Sequence, residues 1–464
     1  MKRNGIGGFF CAFFSSVLWI VSVAALVFAN PGTLMHVKAQ NAEDISLYAM
    51  SAVLMDAESG RVLYEKNGYE PMAMASTTKI MTCIILLENC DLDEKVTVSG
   101  YAASMPKVKL YIKKGEEYTL RDLLYSLMLE SHNDSAVALA EHLGKQYLSD
   151  ELKNKNTAEF TADESKQAVA AFADLMNRKA VELGCEDTWY ITPNGLDATE
   201  TFTLEDGSTI CKEHHTTAAE LARVMAYCIG ESPRAEQFLE ITRAANHSFT
   251  ANGRSFSCAN HNAFLNMMTG ALSGKTGFTN KAGYCYVGAL EQDGRKFVVA
   301  LLACGWPNNK SYKWSDTKEL MQYGLENYFY RSFAEEGIAF DGSQLRKIIV
   351  ENGQTDKLGE IAYTDVKLEE KGGSANVGMD HSAVFAGEAW AEGLLLKPDE
   401  EVEVYWDVED VLTAPVEAGR TVGIVEYRVE GKTYKRQEIV TVTPVEAIDL
   451  EWCFLEILER FLVN

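Results

Sequence analysis

The sequence predicts an α/β protein of the α+β kind. An antiparallel sheet covered by helices comes first, a small all-β domain follows, and an amphipathic helix ends the chain. Three observations carry this reading. Strand-like pairs stand at both ends of the segment 50–304, with helical periodicities between them. From about residue 345 the pattern changes to short alternating runs cut by glycine and acidic turns. The final stretch then sets Ile448, Leu450, Trp452, Phe454, Leu455, Ile457, Leu458, Phe461 and Leu462 against Asp449, Glu456, Glu459 and Arg460.

Taken in order, residues 1–41 read as an export signal. Lys2 and Arg3 precede an uncharged run from Phe9 to Phe28, and small residues follow at Ala29, Ala39 and Ala42. Cleavage after Ala29 or Ala39 satisfies the small-residue rule, while the uncut run is long enough to anchor in a bilayer. Either way the remainder lies outside the cytoplasmic membrane.

Residues 42–340 hold the first domain. Ala52–Met55 and Val62–Tyr64 flank a turn in which Gly60 supplies the unusual backbone angle. A helix around Ser76 follows. Thr119 caps the next helix, and a further one ends at Gly144, a C-cap by its position. Lys145 to Lys166 are polar and read as a surface excursion. Val169, Phe172, Met176 and Leu183 then line one helical face, ended by Gly184. Thr192–Asp197 is turn-rich, and Thr217 with Glu220 spells a capping box. Tyr284–Leu290 and Lys296–Cys304 are strand-like around the hairpin turn Gln292–Gly294, and a helix carrying Leu320, Met321 and Leu325 closes the domain. Residues 345–443 form the all-β domain, and 444–464 the amphipathic helix.

Composition narrows the function. The 464 residues carry a formal charge of −24, which repels a phosphate backbone and excludes nucleic acid as a partner. Ten cysteines show no CxxC pair and no metal spacing, and most sit in apolar segments as small hydrophobes. An odd number outside the signal points to an oxygen-poor setting rather than a disulfide framework. His214 and His215 are adjacent and diverge, so neither a metal nor a cofactor is expected. The acidic pairs Glu116–Glu117 and Glu400–Glu401 read as solvated surface.

Chemistry concentrates in Ser76-Thr77-Thr78-Lys79. A serine hydroxyl needs a base within hydrogen-bond reach, and residues three apart share a helix face. Ile80, Met81, Cys83, Ile84, Ile85, Leu86 and Leu87 follow, so this helix is apolar nearly all round and belongs inside. A lysine in its first turn loses hydration, which lowers its pKa towards that of a useful base.

Two further motifs stand in order, Ser131-x-Asn133 and Lys275-Thr276-Gly277. With these three motifs the chain resembles the low-molecular-mass penicillin-binding proteins that are D-alanyl-D-alanine carboxypeptidases, peptidase family S11. The resemblance covers roughly residues 45 to 335 and implies a β-lactamase/DD-peptidase-like domain. It also implies roles. Ser76 attacks the carbonyl of the penultimate D-alanine, Lys79 takes its proton, and Ser131 relays a proton to the leaving amine. Asn133 hydrogen-bonds the substrate backbone, while Lys275 and Thr276 hold its terminal carboxylate. Gly277 lets the strand approach closely, and the backbone N–H groups of Ser76 and Phe278 form the oxyanion hole. The implied partners are peptidoglycan stem peptides ending in D-Ala-D-Ala, β-lactams as covalent inhibitors, and the membrane surface through the last helix. The implied location is the outer face of the cytoplasmic membrane or the wall of a bacterium. His132 departs from the family, which more often has glycine there. A β-lactamase and a non-catalytic wall or sporulation scaffold are the rival readings. The first lacks a convincing glutamate loop, and the second sits badly with intact Ser76, Lys79 and Lys275.

Overall fold

The computed structural model describes residues 45–203, 208–305, 307, 309–357, 359–369 and 392–462; the expected export signal lies outside them. Strand β1 (Ser51–Asp56) is buried at every residue, as a strand covered on both faces must be. It pairs antiparallel with β2 (Val62–Lys66) across the expected turn. Three later strands complete the sheet, β3 (Ala271–Thr279), β4 (Gly283–Gln292) and β5 (Arg295–Leu302), in the order β2-β1-β5-β4-β3. Ser51 lies opposite Leu302, which joins the two ends of the domain. Asp293 and Gly294 both take positive φ in the tight β4–β5 hairpin, the geometry a two-residue loop requires.

Helices cover both faces. α1 (Lys79–Asn89), α2 (Leu120–Leu129), α3 (Asn133–Gly144), α4 (Ala162–Glu182) and α5 (Ala218–Ile229) build the larger layer, with α6 (Tyr312–Asn327) on the other side. The period of two along β5 sorts its side chains between them. Val298, Ala300 and Leu302 join the core under α1–α5, whereas Phe297, Val299 and Leu301 pack with Leu320, Met321 and Tyr323. α1 runs through the larger core with nine of its eleven residues buried. Ile80, Ile84, Ile85, Leu86 and Leu87 each contribute about 2 kcal/mol of burial. That anchorage gives Lys79, its first residue, a rigid mount.

Several expectations needed correction. Ser76 stands on a 3₁₀ turn, Ala75–Thr78, that feeds α1 rather than on the α-helix itself. Gly144 is not a left-handed cap. It remains helical, and a Cβ there would sit 2.0 Å from the Ala168 carbonyl oxygen, so it permits close approach of α3 to α4. The polar stretch from Lys145 is largely helical, and α4 starts inside it on a complete Thr161–Glu164 capping box. At Thr217 only half the box forms, because the Glu220 carboxylate accepts from Asp187 N–H and Thr188 Oγ1 instead.

The acidic pairs are not simply solvated. Glu116 accepts from the Tyr118 hydroxyl and pairs with Arg254, while Glu400 pairs with Arg61 at 2.6 Å. Arg61 also donates to Leu395 O at 2.6 Å. Leu395 belongs to β7 (Gly393–Leu396), which pairs antiparallel with β6 (Phe329–Ser332). These contacts tie the C-terminal β layers to β2 and its turn. There, β8 (Glu403–Val408), β9 (Thr421–Val429) and β10 (Lys432–Thr441) form an antiparallel sheet over Phe333, Leu394, Val425 and Ile439. α7 (Leu450–Leu462) follows with Leu450, Phe454 and Phe461 exposed by 90%, 63% and 80%. Among the described residues no helix is long and apolar enough to cross a membrane. The nine cysteines among them are free.

Candidate active site

The 3₁₀ turn lifts Ser76 towards β3 because Ala75 takes a left-handed backbone, φ +48°, unusual for a residue with a side chain. Two hydroxyls hold that shape. Thr77 Oγ1 donates to Met74 O at 2.7 Å, and Thr78 Oγ1 donates to Ala75 O at 2.8 Å. Thr78 Oγ1 is itself 2.8 Å from His214 Nε2. Since His214 Nδ1 accepts the Ile191 N–H at 2.9 Å, the ring proton sits on Nε2 and points at Thr78. Burial pushes the His214 pKa down to about 3, so this ring is neutral.

Across the turn lies the loop Thr192–Asp197, pinned to α1 by Thr82 Oγ1 donating to Pro193 O at 2.7 Å. Gly195 packs on the turn so closely that a Cβ would lie 1.9 Å from Ala75 O, and its φ is +80°. The loop thereby presents the carbonyl of Asn194 to Lys79.

Lys79 Nζ is fully buried among three oxygens: Ser76 Oγ at 2.9 Å, Asn133 Oδ1 at 3.0 Å and Asn194 O at 2.6 Å. Burial first, and then the charge of Lys275, hold its pKa well below the ordinary lysine range, with Asp134 opposing. A neutral amine has two N–H bonds and one lone pair. Asn133 Oδ1 and Asn194 O can only accept, so they take the two N–H bonds and leave the lone pair for the Ser76 O–H. Burial and the Lys275 charge, rather than these hydrogen bonds, favour the proton-accepting form, and Ser76 Oγ is the one neighbour that carries a proton for it to take.

Ser131 occupies the α2–α3 corner with φ +64°. Its Oγ accepts from Lys275 Nζ at 2.8 Å, and Lys275 also donates to Thr276 O at 2.9 Å. Burial takes the Lys275 pKa down to about 7. Next to it, His132 turns away from the cleft floor, its Nδ1 2.8 Å from Ser126 Oγ, and burial lowers its pKa. On β3, a Cβ at Gly277 would come within 2.9 Å of Ser76 N and 3.0 Å of Met74 O, so only glycine allows strand and turn to approach.

Ser76, Ser131, Asn133, Thr276, Gly277 and Phe278 share one cleft of about 510 Å³, with Lys79 and Lys275 buried beneath it. All eight site residues read from the sequence therefore converge. His261 lines the same cleft and pairs with Glu130 at 2.8 Å, whereas Asn262 is buried and accepts from the Tyr286 hydroxyl. Three contributors escaped the sequence reading. Asn194 acts through a backbone carbonyl, which leaves no signature in residue type. His214 acts through Thr78 Oγ1 and the Ile191 N–H, partners that its place beside His215 in the sequence does not show. Lys313 stands at the cleft wall, 4.7 Å from the Trp314 ring centre, on a helix read only for its apolar face.

Fold and cleft define a serine hydrolase. The chain matches the D-alanyl-D-alanine carboxypeptidase family over residues 36–147 and 153–304. It is 26% identical over 315 residues to the D-alanyl-D-alanine carboxypeptidase DacF of Bacillus subtilis, covering 67% of this chain and 70% of that protein. The D-alanyl-D-alanine carboxypeptidase DacC of Escherichia coli is 24% identical over 424 residues, covering 88% and 86%. The crystal structure of the D-alanyl-D-alanine carboxypeptidase DacD from Francisella tularensis shares the fold, with a TM-score of 0.56 at 20% identity over 88% of this chain and 96% of that one. This chain belongs to the D-alanyl-D-alanine carboxypeptidase family, peptidase family S11, and is a serine-type D-Ala-D-Ala carboxypeptidase.

Proposed function

We propose that the protein removes the terminal D-alanine from peptidoglycan stem peptides ending in D-Ala-D-Ala, through an acyl-enzyme on Ser76. The observation that carries this reading is the 2.9 Å contact between Lys79 Nζ and Ser76 Oγ, with both other neighbours of the amine unable to give it a proton. Ser76 Oγ attacks the penultimate carbonyl as its proton passes to Lys79. The backbone N–H groups of Ser76 and Phe278 receive the oxyanion. Ser131, in contact with Lys275, passes a proton to the departing D-alanine nitrogen. Lys275 and Thr276 hold the substrate carboxylate and Asn133 its backbone. Water then hydrolyses the ester.

β-Lactams would acylate the same oxygen. Residues 42–340 would carry the chemistry and 345–443 a supporting β domain. Export to the outer face of the cytoplasmic membrane fits the sequence of residues 1–41. The exposed Leu450, Phe454 and Phe461 support a membrane-surface role for α7, lying in the interface rather than spanning it.

The test is covalent labelling by a β-lactam, followed by intact-mass and peptide mapping. A single adduct on Ser76 is expected, with none in Ser76→Ala. An adduct elsewhere, or full labelling of the variant, would refute the assignment. Lys79→Ala should slow acylation by roughly two to four orders of magnitude, the usual value of a general base. Rapid β-lactam turnover without D-alanine release would instead mark a β-lactamase, and neither activity a scaffold.

A further inference from the structure

At the far end of α1 from Lys79, three side chains from three separate segments meet. Cys90 is the residue that terminates α1, Glu94 follows in the turn before the strand Lys95–Thr97, and His142 lies in the last turn of α3. The Cys90 sulfur, a Glu94 carboxylate oxygen and a His142 ring nitrogen all lie within 4.8 Å of one another. We propose that this cluster is a binding site for a divalent transition metal of the zinc type, held by a thiolate, an imidazole and a carboxylate, with water completing a tetrahedron.

The donor set is the first argument. Sulfur with nitrogen suits borderline-soft zinc and excludes calcium or magnesium, which require oxygen cages. Geometry is the second. In a tetrahedral site with bonds of about 2.0 to 2.3 Å, neighbouring ligand atoms stand roughly 3.3 to 3.6 Å apart. His142 Nε2 and Glu94 Oε2 are now 2.8 Å apart and must open slightly, while sulfur moves in by about an ångström or less. The other carboxylate oxygen, Oε1, already accepts the Asp91 N–H at 2.7 Å, which fixes the orientation of Oε2 as an outer-shell partner does.

Electrostatics is the third argument. Two helices, α1 and α3, point their C-terminal ends at the cluster, and the last turn of α1 has no basic residue. Carbonyl ends carry partial negative charge and favour a cation. On metal entry the Cys90 thiol proton leaves to water. The proton that His142 Nε2 shares with Glu94 moves to Nδ1 or to water, so the metal receives a thiolate and a neutral imidazole. Sequence spacing hides the set, because His142 comes 48 residues after Glu94. The eleven residues of α1 place the cluster about 16 Å from Lys79, so it clamps α1 to α3 and takes no part in the cleft.

Co²⁺ serves as the probe. Titrating the full chain should give one equivalent with a sulfur-to-cobalt charge-transfer band, and Zn²⁺ should displace it. Cys90→Ser should abolish the band, and His142→Ala should weaken Zn²⁺ binding by at least about tenfold. Metal-free variants should keep D-alanine release unchanged. In the unaltered chain, Zn²⁺ should protect Cys90 from alkylation, read by peptide mass mapping, while the exposed Cys211 stays reactive. The proposal is overturned by no saturable band, by a band that survives Cys90→Ser, or by Cys90 alkylation indifferent to Zn²⁺.

Discussion

Acid should loosen the turn that carries Ser76, and His214 sets how much. The ring accepts the Ile191 N–H on Nδ1 and donates from Nε2 to Thr78, so a second proton would face a donor. Its pKa is about 3 in the fold against 6.5 in the unfolded chain. Between those values the unfolded state binds more protons, so stability rises with pH there. The His214 contribution is complete above about pH 6.5 and drains away as pH falls towards 3, at about 1.4 kcal/mol per pH unit. Going from about pH 7.5 to about pH 5 crosses roughly 1.5 units of that window and costs about 2 kcal/mol. Asp56, at about 6, and Glu141, at about 7, have raised carboxyl pKa values and titrate in the opposite sense. A double difference removes them. Urea unfolding of the unaltered protein and of His214→Gln should be followed at both pH values. The variant, which does not titrate, should lose about 2 kcal/mol less than the unaltered protein on acidification. Equal losses would refute the role given to His214.

Four further outcomes are expected. Lys275→Gln should cost the free-acid peptide on the order of 2 kcal/mol or more in kcat/KM and narrow its lead over the C-terminal amide; equal cleavage of acid and amide by the unaltered enzyme would favour an endopeptidase. Because burial holds the Lys275 pKa to about 7, kcat/KM for the acid should fall as pH rises through that value in the free enzyme. Lys275→Arg, which stays charged, should shift that limb upward, and an unmoved limb would exclude Lys275 as its source. Gly195→Ala should lower stability well beyond Gly253→Ala, measured by urea unfolding. Both have positive φ and share a conformational cost of about 1 kcal/mol, but only at 195 does the new methyl meet backbone. Deleting Val445–Asn464 should release the protein from anionic and zwitterionic vesicles alike while sparing cleavage of soluble peptides; unchanged partitioning would remove α7 as the anchor.

Residue order alone determined more of this protein than its modest identity to relatives suggests. Near-continuous apolar runs identified β1, β4 and β5, because a strand buried between two layers must be apolar on both faces. An apolar α1 with a lysine at its start marked the chemistry, since burying an amine is costly without a use for it. Thr119, Asp293 and Gly294 announced their elements through local backbone preferences. What tertiary structure decided depended on partners distant in sequence. The role of Gly144 was set by Ala168, that of Glu220 by Thr188, and that of Glu400 by Arg61, none of them a local neighbour. The placement of Lys79 Nζ depends on the Asn194 carbonyl, 115 residues away, and that of Ser76 on a histidine that shapes the turn from behind. A carbonyl is common to every residue, so no residue type could have advertised it. Only the folded loop aims that oxygen at the amine.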